Sequence, residues 1–169
     1  MTLGRLWAGW RSAYVSGVAN APPPEPEGCV LCRVVAPGDD REHYVVWRGE
    51  RTVAVLNIYP YSSGHLMVAP VRHVGDLEGL EAGEHAQLWA AVTAAVQALK
   101  AAYGPEGINV GINLGRSGGA GVPGHLHVHV LPRWQGDTNF MTTVAETRVL
   151  PESLGDSWSK LHQAWPTSP

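Results

Sequence analysis

GHLHVHVLPRW, residues 124–134, places three imidazoles at every second position of an otherwise almost wholly apolar run. In an extended strand successive side chains point to opposite faces. This spacing therefore puts His125, His127 and His129 on one face and Leu126, Val128 and Val130 on the other. The apolar face is expected to anchor the strand in a core, which leaves the histidine face for chemistry. At about 3.3 Å per residue, His125 and His129 lie about 13 Å apart, too far to grip one ion together, so the trio is expected to divide its labour.

Working outward, GRSGGAGVPG (115–124) reads as a loop whose glycines let the main chain bend sharply and turn successive N–H groups toward an anion, with Arg116 adding charge. INVGINLG (108–115) before it reads as a strand. HYVVWRGERTVAVLN (43–57) reads as two strands joined by a tight turn at RGE, and HLMVAPV (65–71) as a third strand after YPYSSG. Acidic residues at 78, 81 and 84 lead into HAQLWAAVTAAVQALKAAY (85–103), where Trp89, Val92, Val96, Leu99 and Tyr103 make a helical stripe that Gly104 and Pro105 end. PESLGDSWSKLHQAW (151–165) places Leu154, Trp158, Leu161 and Trp165 on one helical face, and Trp7, Trp10 and Tyr14 suggest a short N-terminal helix. The tryptophans at 47, 89 and 158 are expected in the core. Short connections between consecutive strands and one long helix favour α+β over a doubly wound fold.

The 169 residues fit one domain, divided as an N-terminal helix and Pro-rich linker (1–27), a central domain (28–140) and a C-terminal extension with a helix (141–169). A formal charge of −3 argues against a nucleic-acid or membrane-surface binder, and no long apolar run suggests secretion or a membrane span, so a cytoplasmic protein is expected. The only two cysteines are spaced C-x-x-C, Cys29 and Cys32, which reads as metal or redox chemistry. A tetrahedral site wants two further ligands; His73 and His125 are the candidates, with His43 in reserve. A neutral imidazole is also a competent nucleophile near pH 7. One nitrogen attacks while the other gives its proton to a fixed acceptor.

GHLHVHVLPR resembles the signature of the histidine triad (HIT) family. Its companions follow in order: Cys29-x-x-Cys32, LNIYPYSSGHLMVAPVRHV, a helix, NLGRSGG, then the triad and LPRW. Both tails further resemble the branch of that family with actinobacterial diadenosine tetraphosphate phosphorylases. The resemblance implies a HIT-like, mostly antiparallel five-stranded sheet with one long helix. It also implies attack on the α-phosphorus of a nucleotide such as diadenosine tetraphosphate. His127 then carries the nucleotidyl intermediate, His129 orients the phosphate region and His65 supports the triad. Asn57 contacts ribose, Asn113 reaches phosphate or ribose, and Arg116, Ser117, Gly118, Gly119 and Gly121 surround the phosphates. Structural Zn2+ on Cys29, Cys32, His73 and His125, no catalytic metal, and a homodimer or higher homo-oligomer are implied as well.

Many hydrolytic members have glutamine or serine about four residues before the triad, where this chain has AGVPG. A small residue there leaves room for orthophosphate as acceptor, while hydrolysis of dinucleoside polyphosphates or nucleoside phosphoramidates is the alternative. Two other classes compete: a nucleotide-binding module without turnover, and a metal oxygenase ligated by His125 and His127. The oxygenase lacks its usual glutamate, because Leu131 and Pro132 stand in that region.

Overall fold

The computed structural model describes residues 26–137 and 151–167. The expected N-terminal helix with Trp7, Trp10 and Tyr14 lies outside the described residues. Five strands, β1 (Val45–Arg48), β2 (Thr52–Leu56), β3 (Leu66–Pro70), β4 (Gly107–Ile112) and β5 (Val128–Arg133), form one sheet in the order β1-β2-β3-β5-β4, with all neighbours antiparallel. The α+β class follows the sequence reading. Three helices are packed on this sheet: α1 (Val30–Val35), α2 (Ala82–Tyr103) and α3 (Leu154–Ala164).

The two faces of the sheet serve different ends. One face presents Ala54, Leu56, Leu66, Val68, Val128 and Val130 to α2, which answers with Leu88, Ala91, Val92, Ala95, Ala98 and Leu99. The stripe therefore departs from the one read off the large residues. Val92 and Leu99 are buried, but Trp89 is 46% exposed. Alanines at 91, 95 and 98 let the helix backbone approach the strands, so the small side chains define the buried face and turn Trp89 away from it. On the other face Val53 and Ala69 pack against Val35 of α1. Along that same face the ladder aligns Val55 with Met67, Met67 with His129, and His129 with Gly111, making a cross-strand row that ends in a residue without a side chain.

The C-terminal helix closes the β1 edge. An irregular register between Val45 and Trp47 leaves successive carbonyls facing outward; Trp158 Nε1 donates to Val45 O at 2.8 Å and His162 Nδ1 to Val46 O at 3.0 Å. Their rings, one helical turn apart, stack at 4.8 Å, and Trp165 stacks on Trp47 at 5.4 Å. An edge satisfied in this way cannot template another strand.

Helix α2 starts on a capping box in which Glu84 accepts from Glu81 N at 2.9 Å. The same buried carboxylate takes a two-pronged contact from Arg72, Nε to Oε1 at 2.9 Å and Nη2 to Oε2 at 2.6 Å. Arg72 and the Glu81 amide hold Glu84 down at about 2. Replacing Glu84 with alanine removes the cap and the ion pair together. It is expected to lower stability by about 1–2 kcal/mol in urea unfolding, and Glu84→Gln, which keeps part of the cap, by less.

Candidate active site and metal centre

The row Val55, Met67 and His129 lines a cavity of about 420 Å³. Helix α1 supplies one wall through Val30, Leu31 and Val34; the end of β2 and the following loop supply Leu56, Asn57, Ile58, Tyr59 and Tyr61. Asn113, Gly119, Gly121, Val122 and His127 add to the lining, and His43 completes it. The side chains are mostly apolar, with a few polar groups among them, as small-molecule sites require. No carboxylate lines it among the described residues.

The triad does not lie wholly on a strand. Its ladder begins at Val128, so His125 and His127 occupy the extended lead-in, and only His129 is held by sheet pairing. His125 meets Cys29 and Cys32 beside α1 while His127 and His129 line the cavity, with ring centroids 4.9 Å apart. The strand is thus shorter than expected, while the trio divides its contacts as the spacing implied. Leu126, Val128 and Val130 are buried as expected.

Fixed donors and acceptors set each tautomer. A main-chain N–H can only donate, so the contact from Tyr61 N to His65 Nδ1, at 3.2 Å, leaves the His65 proton on Nε2. That Nε2–H faces His129 Nδ1 at 2.9 Å, which puts the His129 proton on its own Nε2. The supporting amide of Asn57 is oriented by Tyr59 N, which donates to Asn57 Oδ1 at 2.9 Å and leaves Nδ2 3.4 Å from His65 Nδ1. His127 is set the opposite way. A carbonyl can only accept, so Nδ1 donates to His125 O at 2.8 Å and the bare nitrogen is Nε2. Burial lowers the pKa of His127 and His125 below the usual histidine value. Burial, then the charge of His127, takes His129 down to about 4. These shifts favour the neutral forms of His125, His127 and His129.

Cys29, Cys32, His73 and His125 bring their ligand atoms within 4.8 Å of one another. His73 Nδ1 lies 3.1 Å from Cys32 Sγ, and His125 Nδ1 lies 3.5 Å from both sulfurs. His125 Nε2 donates to Pro70 O at 2.8 Å, so the lone pair on Nδ1 points into the cluster. Burial, then Cys29, pushes the Cys32 thiol up to about 11. A divalent cation between the sulfurs would reverse that balance. Two soft sulfurs and two imidazoles at these separations fit a tetrahedral ion, whose ligand atoms stand about 3.3–3.8 Å apart. His43, held in reserve as a ligand, is not part of this cluster.

The glycine loop meets the cavity over a narrower stretch than expected. Asn113, Gly119 and Gly121 reach the cavity, whereas Arg116, Ser117 and Gly118 do not line it. Gly118 has a structural reason, because a Cβ there would sit 2.2 Å from Leu114 O. Gly119, at φ 93°, already donates its N–H to Arg116 O at 2.9 Å. Helix α1 is an element to which the sequence analysis assigns no structure. The signal lies in CVLCRVV itself, where ligands at 29 and 32 alternate with apolar residues at helical spacing.

Residues 40–136 match the family model described as HIT domain. Over 174 aligned positions the chain is 40% identical to a protein of Mycobacterium tuberculosis (strain ATCC 25618 / H37Rv) named AP-4-A phosphorylase, covering 99% of this chain and 87% of that one. A zinc-bound histidine triad family protein from Mycobacterium smegmatis superposes with a TM-score of 0.66 at 28% identity, covering 83% of this chain and 94% of its own. A hypothetical histidine triad nucleotide-binding protein from Sulfolobus tokodaii strain7 gives 0.65 at 28% identity, covering 80% and 91%. With the match spanning more than half of the chain, around the antiparallel sheet and the triad it carries, this protein belongs to the HIT domain family.

Proposed function

We propose that this protein is a nucleotidyl transferase that cleaves diadenosine tetraphosphate by phosphorolysis through an intermediate on His127. The observation that carries the reading is the bare Nε2 of His127, held by its opposite nitrogen at a cavity that no carboxylate lines among the described residues. The 40% identity to AP-4-A phosphorylase supports the substrate. In the first step the Nε2 lone pair forms a bond to the α-phosphorus, and the bond from that phosphorus to the bridging oxygen breaks, releasing ATP. The His129 Nε2–H donates a hydrogen bond to the phosphate oxygens as charge builds on them. His65 keeps that proton in place from behind.

In the second step an ionised oxygen of orthophosphate attacks the nucleotidyl phosphorus, the P–N bond breaks, and ADP leaves with His127 restored. Water as acceptor must lose a proton, and among the described residues no carboxylate stands at the cavity to take it. An orthophosphate dianion brings an oxygen already deprotonated. This asymmetry favours phosphorolysis over the hydrolytic alternative.

Asn57 binds the ribose in this reading, and Asn113, Gly119 and Gly121 bind the phosphates, with Arg116, Ser117 and Gly118 shaping the loop behind them. Zinc at Cys29, Cys32, His73 and His125 has a structural role; when bound it fastens α1 to the lead-in of β5. The HIT domain takes residues 28–140, flanked by extensions at 1–27 and 141–169. A homodimer forms through the open edge of β4, where Val110 is 44% exposed. We place the protein in the cytoplasm.

Mass spectrometry of the protein quenched after mixing with diadenosine tetraphosphate, without orthophosphate, is expected to find one adenylyl group on His127. His127→Ala is expected to lose at least about a thousandfold in turnover while still binding AMP. Turnover at the parental rate in that variant refutes the mechanism. ADP and ATP in equal amounts, formed only with orthophosphate, mark phosphorolysis.

Purified protein is expected to hold about one zinc per chain, absent in a Cys29→Ser, Cys32→Ser double variant, whose thermal midpoint falls by several degrees. Stability also depends on pH through His129. Unfolded, it binds its proton at the ordinary pKa of about 6.5; folded, at about 4. Between those values the unfolded state holds more protons, so this contribution is complete above pH 6.5 and is lost as pH falls toward 4. Urea midpoints measured from pH 7.5 to 4.5 are expected to fall more steeply for the parent than for His129→Gln.

A further inference from the structure

His43 stands on the turn that enters β1, and its half-buried ring lines the same cavity as His127 and His129. Leu56 N donates to Tyr44 O at 3.0 Å, so the β1–β2 ladder runs past its last assigned pair and sets His43 opposite Asn57. The side chains around it from α1 and β2 are aliphatic: Val30, Leu31, Val34 and Val55. Among the described residues nothing hydrogen-bonds the His43 ring, and it ligates nothing in the Cys/His cluster. An imidazole without a partner, lining a mostly apolar recess, is complementary to a ligand that brings one.

The turn is held rigidly. Asp39 Oδ1 accepts from Arg41 N at 2.9 Å and Glu42 N at 3.1 Å, and Asp40 O accepts from Val45 N at 2.7 Å. Arg48 grips the Asp40 carboxylate through Nε at 2.5 Å. Its other nitrogens donate to Val35 O at 2.7 Å and Val34 O at 3.1 Å, the last carbonyls of α1. One guanidinium thus fastens the His43 turn to the α1 wall and fixes the width of the recess between them. Tyr44, the next residue, has φ 55°, the one positive value for a non-glycine among the described residues. Such a conformation persists where the surroundings over-determine it.

We propose that His43 reads the edge of the nucleobase and sets base selectivity, its bare imidazole nitrogen accepting from the 6-amino group of a purine slotted against α1. The inference rests on the nucleotide reading above. It assigns a donor on the ligand to a polar side chain of the recess that has no role in phosphate transfer.

The test is calorimetric, with two monophosphates: AMP and purine riboside 5′-monophosphate, which lacks the 6-amino group. The parent protein is expected to bind AMP roughly tenfold more tightly than the analogue, the worth of one hydrogen bond. His43→Phe, which keeps a ring of similar size, is expected to bring the two together, and His43→Gln, which keeps an acceptor, to restore part of the preference. Equal binding of AMP and purine riboside 5′-monophosphate by the parent overturns the proposal, whatever the variants do; so does a preference that survives in His43→Phe. Binding of monophosphates is read without turnover. A parent that binds AMP selectively yet leaves diadenosine tetraphosphate intact therefore strikes the proposed reaction and spares the role of His43.

Discussion

The hydrogen bond from His127 Nδ1 to the carbonyl of His125 joins the two halves of the site. On one side of it, His125 turns its own Nδ1 to two cysteines and its Nε2 to Pro70 O. On the other, His127 has one nitrogen committed and one bare. Because both rings hang from the same short stretch of chain, any shift of the His125 main chain moves the acceptor that fixes the His127 tautomer. The Cys/His cluster thus bears on His127 without touching it: it holds that carbonyl still.

Helix α1 makes the same connection at the cavity. Cys29 caps it and Cys32 lies within it, while Val30, Leu31 and Val34 between and beyond them form a wall of the pocket. Six residues are too few for a helix to persist alone. Its N-terminal end depends on the cluster, its C-terminal carbonyls on Arg48, and its buried side on Val53 and Ala69. Three weak supports at different points specify a position that none of them fixes singly.

How far this was legible in the sequence depends on which interactions each residue answers to. The antiparallel sheet, the long helix and the C-terminal helix were readable, because strand alternation, glycine–proline stops and an amphipathic face are local signals. The Cys/His cluster was readable as well: few residue types ligate soft metals, and the candidates were few. Trp89 was misread because burial on α2 goes to the alanines that permit close approach, a property of the facing strands. The last strand is shorter than its alternation suggests because pairing with β3 begins only at Val128, and nothing within GHLHVHV marks where a partner strand ends. His43 was weighed only as a ligand. Its place in the cavity depends on a ladder with β2, a left-handed Tyr44 and a clamp from Arg48, three long-range facts with no signature in the turn itself.

Burying several imidazoles is costly unless each polar nitrogen is satisfied. Here nearly all are. His65 accepts from a main-chain amide and donates to His129; His125 donates to a carbonyl and faces two sulfurs; His127 donates to a carbonyl. What remains is a proton on His129 Nε2 and a lone pair on His127 Nε2, one donor and one acceptor on adjacent rings 4.9 Å apart. A phosphate ester answers both at once, its oxygens taking the proton's hydrogen bond and its phosphorus the lone pair. Water answers each singly and cannot span the pair with one electrophilic atom. The neutral state of the array matters for this. A protonated His129 would lose the bond from His65, and a protonated His127 would have no electrons to give. The same burial that lowers both pKa values therefore keeps the site in the only charge state in which its two unmet groups are complementary to an ester of phosphate.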